Sequence, residues 1–244
     1  MIDGHAHLNE IEDIDQAVER AKKVGIRAII AVGMDIDSNM KTLSLAERFP
    51  SFVYPCIGYH PWSITAESIT DNLAFIEANI GSSLAMGEVG LDYGAKARKK
   101  VQREVFEKIL VIAGQYDKPV IIHSRYSHKR TFAMTKEAGI ERAVFHWYSG
   151  PTDVLDGILG SGYFISATPA LAYSPTHREA LRIAPIERIL IETDCPVVYQ
   201  GSKSEPADLV VTIRELSSIK GIEPDDVARI TAANTESFYG ISIK

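Results

Sequence analysis

Six side chains stand out by type and spacing: His5, His7, Glu88, His123, His146 and Asp194. Four imidazoles and two carboxylates make a donor set for divalent cations. They suit zinc, manganese or magnesium rather than an ion that prefers thiolates. Each lies at the end of a short apolar run, in Asp3-Gly4-His5-Ala6-His7, Gly87-Glu88-Val89-Gly90, His123-Ser124-Arg125, His146-Trp147 and Glu192-Thr193-Asp194. Strand side chains alternate, so His5 and His7 share a side, and inside a barrel that side is the lumen. Taken singly, such a histidine is an ordinary hydrogen-bonded residue, and such an acid is a helix cap or a solvated loop residue. Gathered at one rim without a cation, the six would be poorly satisfied. Two ions with one bridging carboxylate use the set better than one ion does. The partition places His5, His7 and Asp194 on the first and His123 and His146 on the second, with Glu88 between. Ions ~3.5–4 Å apart activate a water and stabilise both the attacking and leaving oxygens of a phosphodiester. Asp194 then orients or deprotonates the water, which makes Asp194 and Glu88 the candidate catalytic residues.

A scaffold must bring these residues together. Apolar runs rich in Val, Ile and Phe at 1–8, 27–33, 52–58, 84–90, 119–124, 142–147, 163–168 and 188–194 read as strands buried on both faces. Between them lie amphipathic stretches at 13–24, 37–48, 67–79, 98–116, 127–138, 152–159, 175–183 and 206–220. The first carries Ile14, Ala17, Val18 and Ala21 on one helical stripe. Eight strands alternating with eight helices predict an α/β fold of the (β/α)₈ TIM-barrel type, with its active site at the C-terminal strand ends. A doubly wound sheet gives the same alternation. A last amphipathic stretch, 224–239, is expected to add a C-terminal helix outside the barrel. At 244 residues the chain is the length of one such barrel, and no linker or low-complexity segment divides 1–244 into more than one domain.

Composition narrows the function. Net charge is −6, which argues against gripping nucleic acid by bulk charge but leaves room for phosphate contacts made through metal ions. Two cysteines, Cys56 and Cys195, exclude a disulfide framework and a thiolate zinc module. No run approaches the ~18 apolar residues of a membrane span. The opening Met1-Ile2-Asp3-Gly4-His5 lacks the basic start and apolar stretch of a signal peptide, so a cytoplasmic location and no membrane partner are expected. Neither a dinucleotide-binding glycine fingerprint nor a Walker A segment occurs.

The segments Asp3-Gly4-His5-Ala6-His7-Leu8, Gly58-Tyr59-His60-Pro61, Gly87-Glu88-Val89-Gly90-Leu91-Asp92-Tyr93, Pro119-Val120-Ile121-Ile122-His123-Ser124-Arg125, His146-Trp147-Tyr148-Ser149-Gly150 and Glu192-Thr193-Asp194-Cys195-Pro196 occur in a familiar order. Together they resemble the TatD-type metal-dependent deoxyribonucleases of the amidohydrolase superfamily. Glu205-Pro206-Ala207, Asn234 and Phe238 extend the likeness toward the C-terminus. The resemblance implies the same ligand roles and 3′–5′ exonuclease-like cleavage of DNA, usually with magnesium or manganese. It also admits deacylation of D-aminoacyl-tRNA, since substrate transfers less well than fold. The departures face the substrate. Trp147 and Tyr148 stand where a small residue and Phe are common, Val197 where an aromatic is common, and Ile109 near the place of a second Gln, although Gln102 and Phe106 fit.

Further residues have two readings each. His60 donates to a phosphate, or fixes the turn before Pro61. Arg125, two past His123, binds phosphate or pairs with a rim carboxylate. Asp92 bonds a ligand histidine or orders its loop. Lys96, Arg98, Lys99, Lys100 and Arg103 attract a nucleic-acid backbone or form a solvated helix face, the commoner case. Trp62, Trp147 and Tyr148 stack on bases or belong to the core; alternation turns Trp147 toward the helix layer. His128 and His177, on helices, are expected at the surface. Cys56 is expected buried, and Cys195 turned away from the ligands. The leading expectation is a hydrolase with two divalent ions acting on the 3′ end of single-stranded DNA. The alternatives are an ester or amide hydrolase such as a D-aminoacyl-tRNA deacylase, and a non-catalytic metal-binding scaffold. Retention of every candidate ligand argues against the last.

Overall fold

The computed structural model of the chain describes residues 1–243. Eight parallel strands pair in chain order: β1 (Ile2–Ala6), β2 (Ala28–Val32), β3 (Val53–Ile57), β4 (Ala85–Asp92), β5 (Val120–Arg125), β6 (Ala143–Phe145), β7 (Phe164–Ala167) and β8 (Ile189–Ile191). The Asp194 N–H donates to the His5 carbonyl (3.0 Å) and the His7 N–H to the Cys195 carbonyl (2.7 Å), joining the end of β8 to β1. This is the TIM barrel that the alternation predicts, and it excludes the doubly wound sheet. Helices α1 (Ile14–Lys23), α2 (Ile36–Arg48), α3 (Ile69–Asn79), α4 (Lys99–Gln115), α5 (His128–Glu137), α6 (Thr152–Gly160), α7 (Pro175–Ile183) and α8 (Leu209–Lys220) follow the strands in turn, and α9 (Pro224–Tyr239) ends the series. None of the helices among the described residues is long and apolar enough to cross a membrane.

Strands buried on both faces serve two cores. Outward residues such as Ile29, Ile57, Met86 and Val89 pack on the apolar stripes of the helices, among them Ala21, Ile76 and Val105. Inward residues Ile30, Val32, Ala85, Ile121, Val144 and Leu190 fill the lumen with Phe238 and Tyr239 of α9. The last helix therefore does more than lie outside the barrel: it closes the N-terminal end. Asn234 Nδ2 donates to the Ile186 and Ile189 carbonyls (2.7 and 2.8 Å), and the Tyr239 hydroxyl donates to the Gly4 carbonyl (3.1 Å). The C-terminal end is left open for polar groups.

Two irregularities aim those groups. Register shifts between Asp3 and Ala6 on β1 and between Met86 and Val89 on β4. On β4, Ala85 faces the lumen and Met86 and Val89 face the helices. With strict alternation Glu88 would lie opposite Ala85; the extra residue turns it inward. The backbone of β3 must come close to allow this. A Cβ at Gly58 would stand 2.5 Å from the Glu88 carbonyl oxygen, so only glycine fits there.

Beyond β8, a hairpin of β9 (Val198–Tyr199) and β10 (Ser202–Lys203) turns through Gln200 (φ 50°) and Gly201 (φ 90°). Positive φ at both central residues is the twist a two-residue hairpin needs. The expected helix at 206–220 opens with a 3₁₀ turn at Pro206–Asp208.

His177 corrects an expectation, for it is fully buried. Its Nδ1–H donates to the Tyr148 carbonyl (2.8 Å) and its Nε2 accepts from the Thr168 N–H (3.2 Å), so the neutral ring is satisfied at both nitrogens. His128 is half-buried against the Tyr148 ring, 5.3 Å between centroids. Burial pushes His177 down to about 4. The unfolded chain, with histidine near 6.5, takes up the proton first. Stability from the neutral ring is therefore complete above about pH 6.5 and lost as pH falls toward 4. In urea unfolding, His177→Gln is expected to reduce the loss of stability between pH 6.5 and 4.5 by about 2 kcal/mol. An unchanged pH slope would contradict this account.

Candidate metal centre

Glu88 is the hub of the rim. Its Oε2 lies 3.5 Å from His5 Nε2 and 3.3 Å from His7 Nε2. Its Oε1 lies 2.8 Å from His123 Nδ1, 2.7 Å from His146 Nε2 and 3.4 Å from His60 Nε2. Asp194 Oδ1 stands 3.3 Å from His5 Nε2 and 3.5 Å from His7 Nε2, and those two nitrogens are 3.3 Å apart. Five of the six edges among these four atoms thus measure 3.3–3.5 Å. Tetrahedral ligands bonded at 2.0–2.1 Å have edges of about 3.3–3.4 Å. The first group therefore has the size and chemistry to hold a divalent ion. The donor atoms of His60, Glu88 and His123 lie within 4.8 Å of one another, as do those of His5, His146 and Glu192.

The electrostatics follow from burial and pairing. Burial alone would raise Glu88, yet His146, His60 and His123 hold it well below the usual carboxylate range. Burial also opposes charge on His7, but Asp194 and Glu88 outweigh it and lift the ring to about 10. His146 is raised in the same way by Glu88 and Glu192. Asp194 is lowered, its burial overcome by hydrogen bonds from His5 and His7. His60 differs: burial prevails and brings it to about 4. Because the Trp62 N–H donates to His60 Nδ1 (3.1 Å), the ring proton sits on Nε2.

A cavity of about 580 Å³ opens over these groups. Glu88, His123, His146 and Asp194 line it, together with His60, Arg125, Trp62 and Trp147. Trp147 departs from the expected outward direction. Strand β6 ends at Phe145, and φ of 42° at Trp147 breaks the alternation and turns the ring to the cavity. Tyr148 is buried, as a core residue should be, and so are Cys56 and Cys195, with free thiols.

A family model, TatD related DNase, matches residues 2–240. The chain belongs to the TatD-related DNase family. The deoxyribonuclease TATDN3 of Homo sapiens is 30% identical over 98% of this chain and 94% of its own length. The metal-dependent hydrolase YabD of Bacillus subtilis is 28% identical over 99% of this chain and 100% of its own. Among solved structures, the TatD homologue YJJV of Escherichia coli superposes with a TM-score of 0.90 at 25% identity, covering 99% of this chain and 98% of that one. The chain is thus a metal-dependent hydrolase of the TatD type.

In this TatD-type barrel a further layer holds the rim in place. Asp92 accepts from the Trp62 indole N–H (2.6 Å), and its Oδ2 lies 3.4 Å from His123 Nε2. Gln102 of α4 fixes the Asp92 backbone, accepting its N–H (2.8 Å) and donating to its carbonyl (2.7 Å). Two members escaped the sequence reading. Glu192 Oε1 lies 3.3 Å from His146 Nδ1 and accepts the Trp147 N–H (3.1 Å). It is two residues before Asp194, so strand parity was the signal for it. Asp3 accepts the Thr193 N–H (3.0 Å) and hydroxyl (2.6 Å), and burial lifts it to about 7. No periodicity reveals Asp3, since its partner lies across the barrel seam. Replacing Thr193 with Val deprives a buried carboxylate of its shortest hydrogen bond. Thr193→Val should lose about 1–3 kcal/mol in urea unfolding. A loss below half a kcal/mol would mean that the seam does not depend on this pair.

Proposed function

We propose that the chain is a 3′–5′ exodeoxyribonuclease that uses two divalent ions to trim single-stranded DNA. The observation that supports it best is the division of Glu88: one oxygen serves His5 and His7, the other serves His123 and His146. A buried carboxylate shared by two imidazole pairs is what a bridging ligand requires. On this reading His5, His7 and Asp194 hold one ion, His123 and His146 the other, and magnesium, manganese and zinc all suit the donors. When bound, such ions polarise a phosphoryl oxygen and lower the pKa of the attacking water.

The chain's own groups supply the rest. Asp194 Oδ1 is occupied by His5 and His7, leaving Oδ2 to accept a proton from the attacking water. His60 Nε2–H donates to a non-bridging phosphate oxygen. The exposed Arg125 guanidinium lies 5.2 Å from the Tyr126 ring and forms no ion pair among the described residues, so it is free to orient a phosphate. The basic cluster before and within α4 contributes less: Lys100 pairs with Glu104 (3.7 Å) and Lys99 lies over the Tyr93 ring. Free, buried Cys56 and Cys195 accord with a cytoplasmic enzyme.

Magnesium- or manganese-loaded protein should shorten a 5′-labelled single-stranded oligonucleotide stepwise from its 3′ end. Chelator should abolish the ladder, and Asp194→Asn should slow it at least ~100-fold, the scale of general-base loss. An intact oligonucleotide with metal demonstrably bound would sink the nuclease reading and direct the search to esters and amides, D-aminoacyl-tRNA first. Metal analysis after dialysis offers a separate check on the ligand partition. Wild type should carry two ions per chain and Glu88→Ala no more than one, whereas equal loading would rule out the bridge.

A further inference from the structure

The cavity's wall is aromatic in a way that the metal centre does not require. Both tryptophans of the chain, Trp62 and Trp147, line it, and Tyr173 joins them. Trp62 follows β3, whereas Trp147 and Tyr173 follow β6 and β7, three and four strands around the eight-stranded barrel. The rings therefore address the cavity from opposite sides of its mouth.

Trp62 and Tyr173 are exposed and Trp147 is half-buried, yet the rings are held in place. Trp62 is 59% exposed, but its indole N–H is tied to buried Asp92 and its ring stands edge-on to His60 at 4.8 Å. The Trp147 N–H is shared by Ser166 Oγ (2.8 Å) and Glu192, and its ring rests 5.4 Å from Tyr199 of the hairpin. Tyr199 is anchored in turn by donating its hydroxyl to the Thr193 carbonyl (2.9 Å), and it lies 6.4 Å from Tyr173. Apolar surface gathered at a polar-rimmed mouth marks a ligand-binding groove, and aromatic faces there suit a planar base.

Resting on the nuclease reading above, we propose that Trp147, backed by Tyr199 and Tyr173, is a shelf on which the base of the terminal nucleotide stacks, with Trp62 as the facing wall. The phosphate donors His60 and Arg125 line the same cavity, so a nucleotide seated on the metal centre has its base within reach of the rings. A π-face accepts any base, so the site selects an unpaired end over a sequence. A paired base is unavailable to it, which accounts for a preference for single strands without bulk positive charge.

The test measures binding in magnesium-loaded protein by calorimetry, with thymidine 5′-monophosphate and 2-deoxyribose 5-phosphate as probes. The nucleotide should bind at least ten-fold more tightly and quench the intrinsic fluorescence, which arises from these two tryptophans. Trp147→Leu should weaken the nucleotide about ten-fold while leaving the sugar phosphate within two-fold, and Trp147→Phe should restore most of the loss. Equal binding of the two probes by wild type would overturn the shelf, as would Trp147→Phe behaving like Trp147→Leu. The two readings fail separately. A protein that prefers the nucleotide but leaves oligonucleotides intact loses the nuclease reading and keeps the shelf. One that degrades oligonucleotides but binds both probes alike does the reverse.

Discussion

A carboxylate without access to water is costly to keep ionised, and effective penalties reach several kcal/mol unless partners offset them. Glu88 sits at 2% exposure with imidazoles on both oxygens, and much of the rim follows from meeting its needs. β4 must slip by one residue to turn it inward, and β3 must present Gly58 to make room. His123 and His146 must then meet one oxygen while His5 and His7 meet the other. The imidazoles that support Glu88 are themselves shielded from water, and two of them find a partner for the other ring nitrogen, His146 in Glu192 and His123 in Asp92, whereas Nδ1 of His5 and of His7 has none. Polar groups thus accumulate outward from one buried charge.

The opposite end of the barrel permits this concentration. Its lumen is closed by apolar side chains and by Phe238 and Tyr239, with α9 satisfying backbone carbonyls at Gly4, Ile186 and Ile189. Stability is drawn from that end and spent little on chemistry. Barrel enzymes commonly divide their two faces in this way. Here the division is visible along one segment: Leu190 of β8 belongs to the apolar lumen, and Glu192 and Asp194, just past the end of that strand, belong to the rim.

What the sequence disclosed depended on whether the governing physics was local. Strand runs and helical stripes repeat over a few residues, so the barrel and the convergence of His5, His7, Glu88, His123, His146 and Asp194 were legible. Asp3 was not, because its role rests on a hydrogen bond to Thr193 across 190 residues of chain. His177 looked like a surface residue because its helix stripe says nothing about the Tyr148 carbonyl and Thr168 N–H that receive it. Trp147 was misdirected by alternation, which holds only while the strand lasts. The one-residue slips on β1 and β4 were invisible for the same reason: a bulge is a relation between neighbouring strands, and no single strand encodes it.

Backbone strain at the rim connects the proposed chemistry to the proposed shelf. Asp194 and Trp147 both adopt positive φ, 51° and 42°. For residues other than glycine such conformations cost about 1–3 kcal/mol each and persist only where surroundings overdetermine them. Asp194 is held by its N–H on the His5 carbonyl, and Trp147 by its N–H on Ser166 and Glu192. Glu192 is the shared element. One buried oxygen, Oε1, lies within reach of both the His146 ring and the Trp147 backbone. The His146 ring and the backbone that carries Trp147 are therefore positioned by the same atom. A strand end that aims the His146 imidazole inward must, one residue later, aim something else, and in this chain that residue is an aromatic plane.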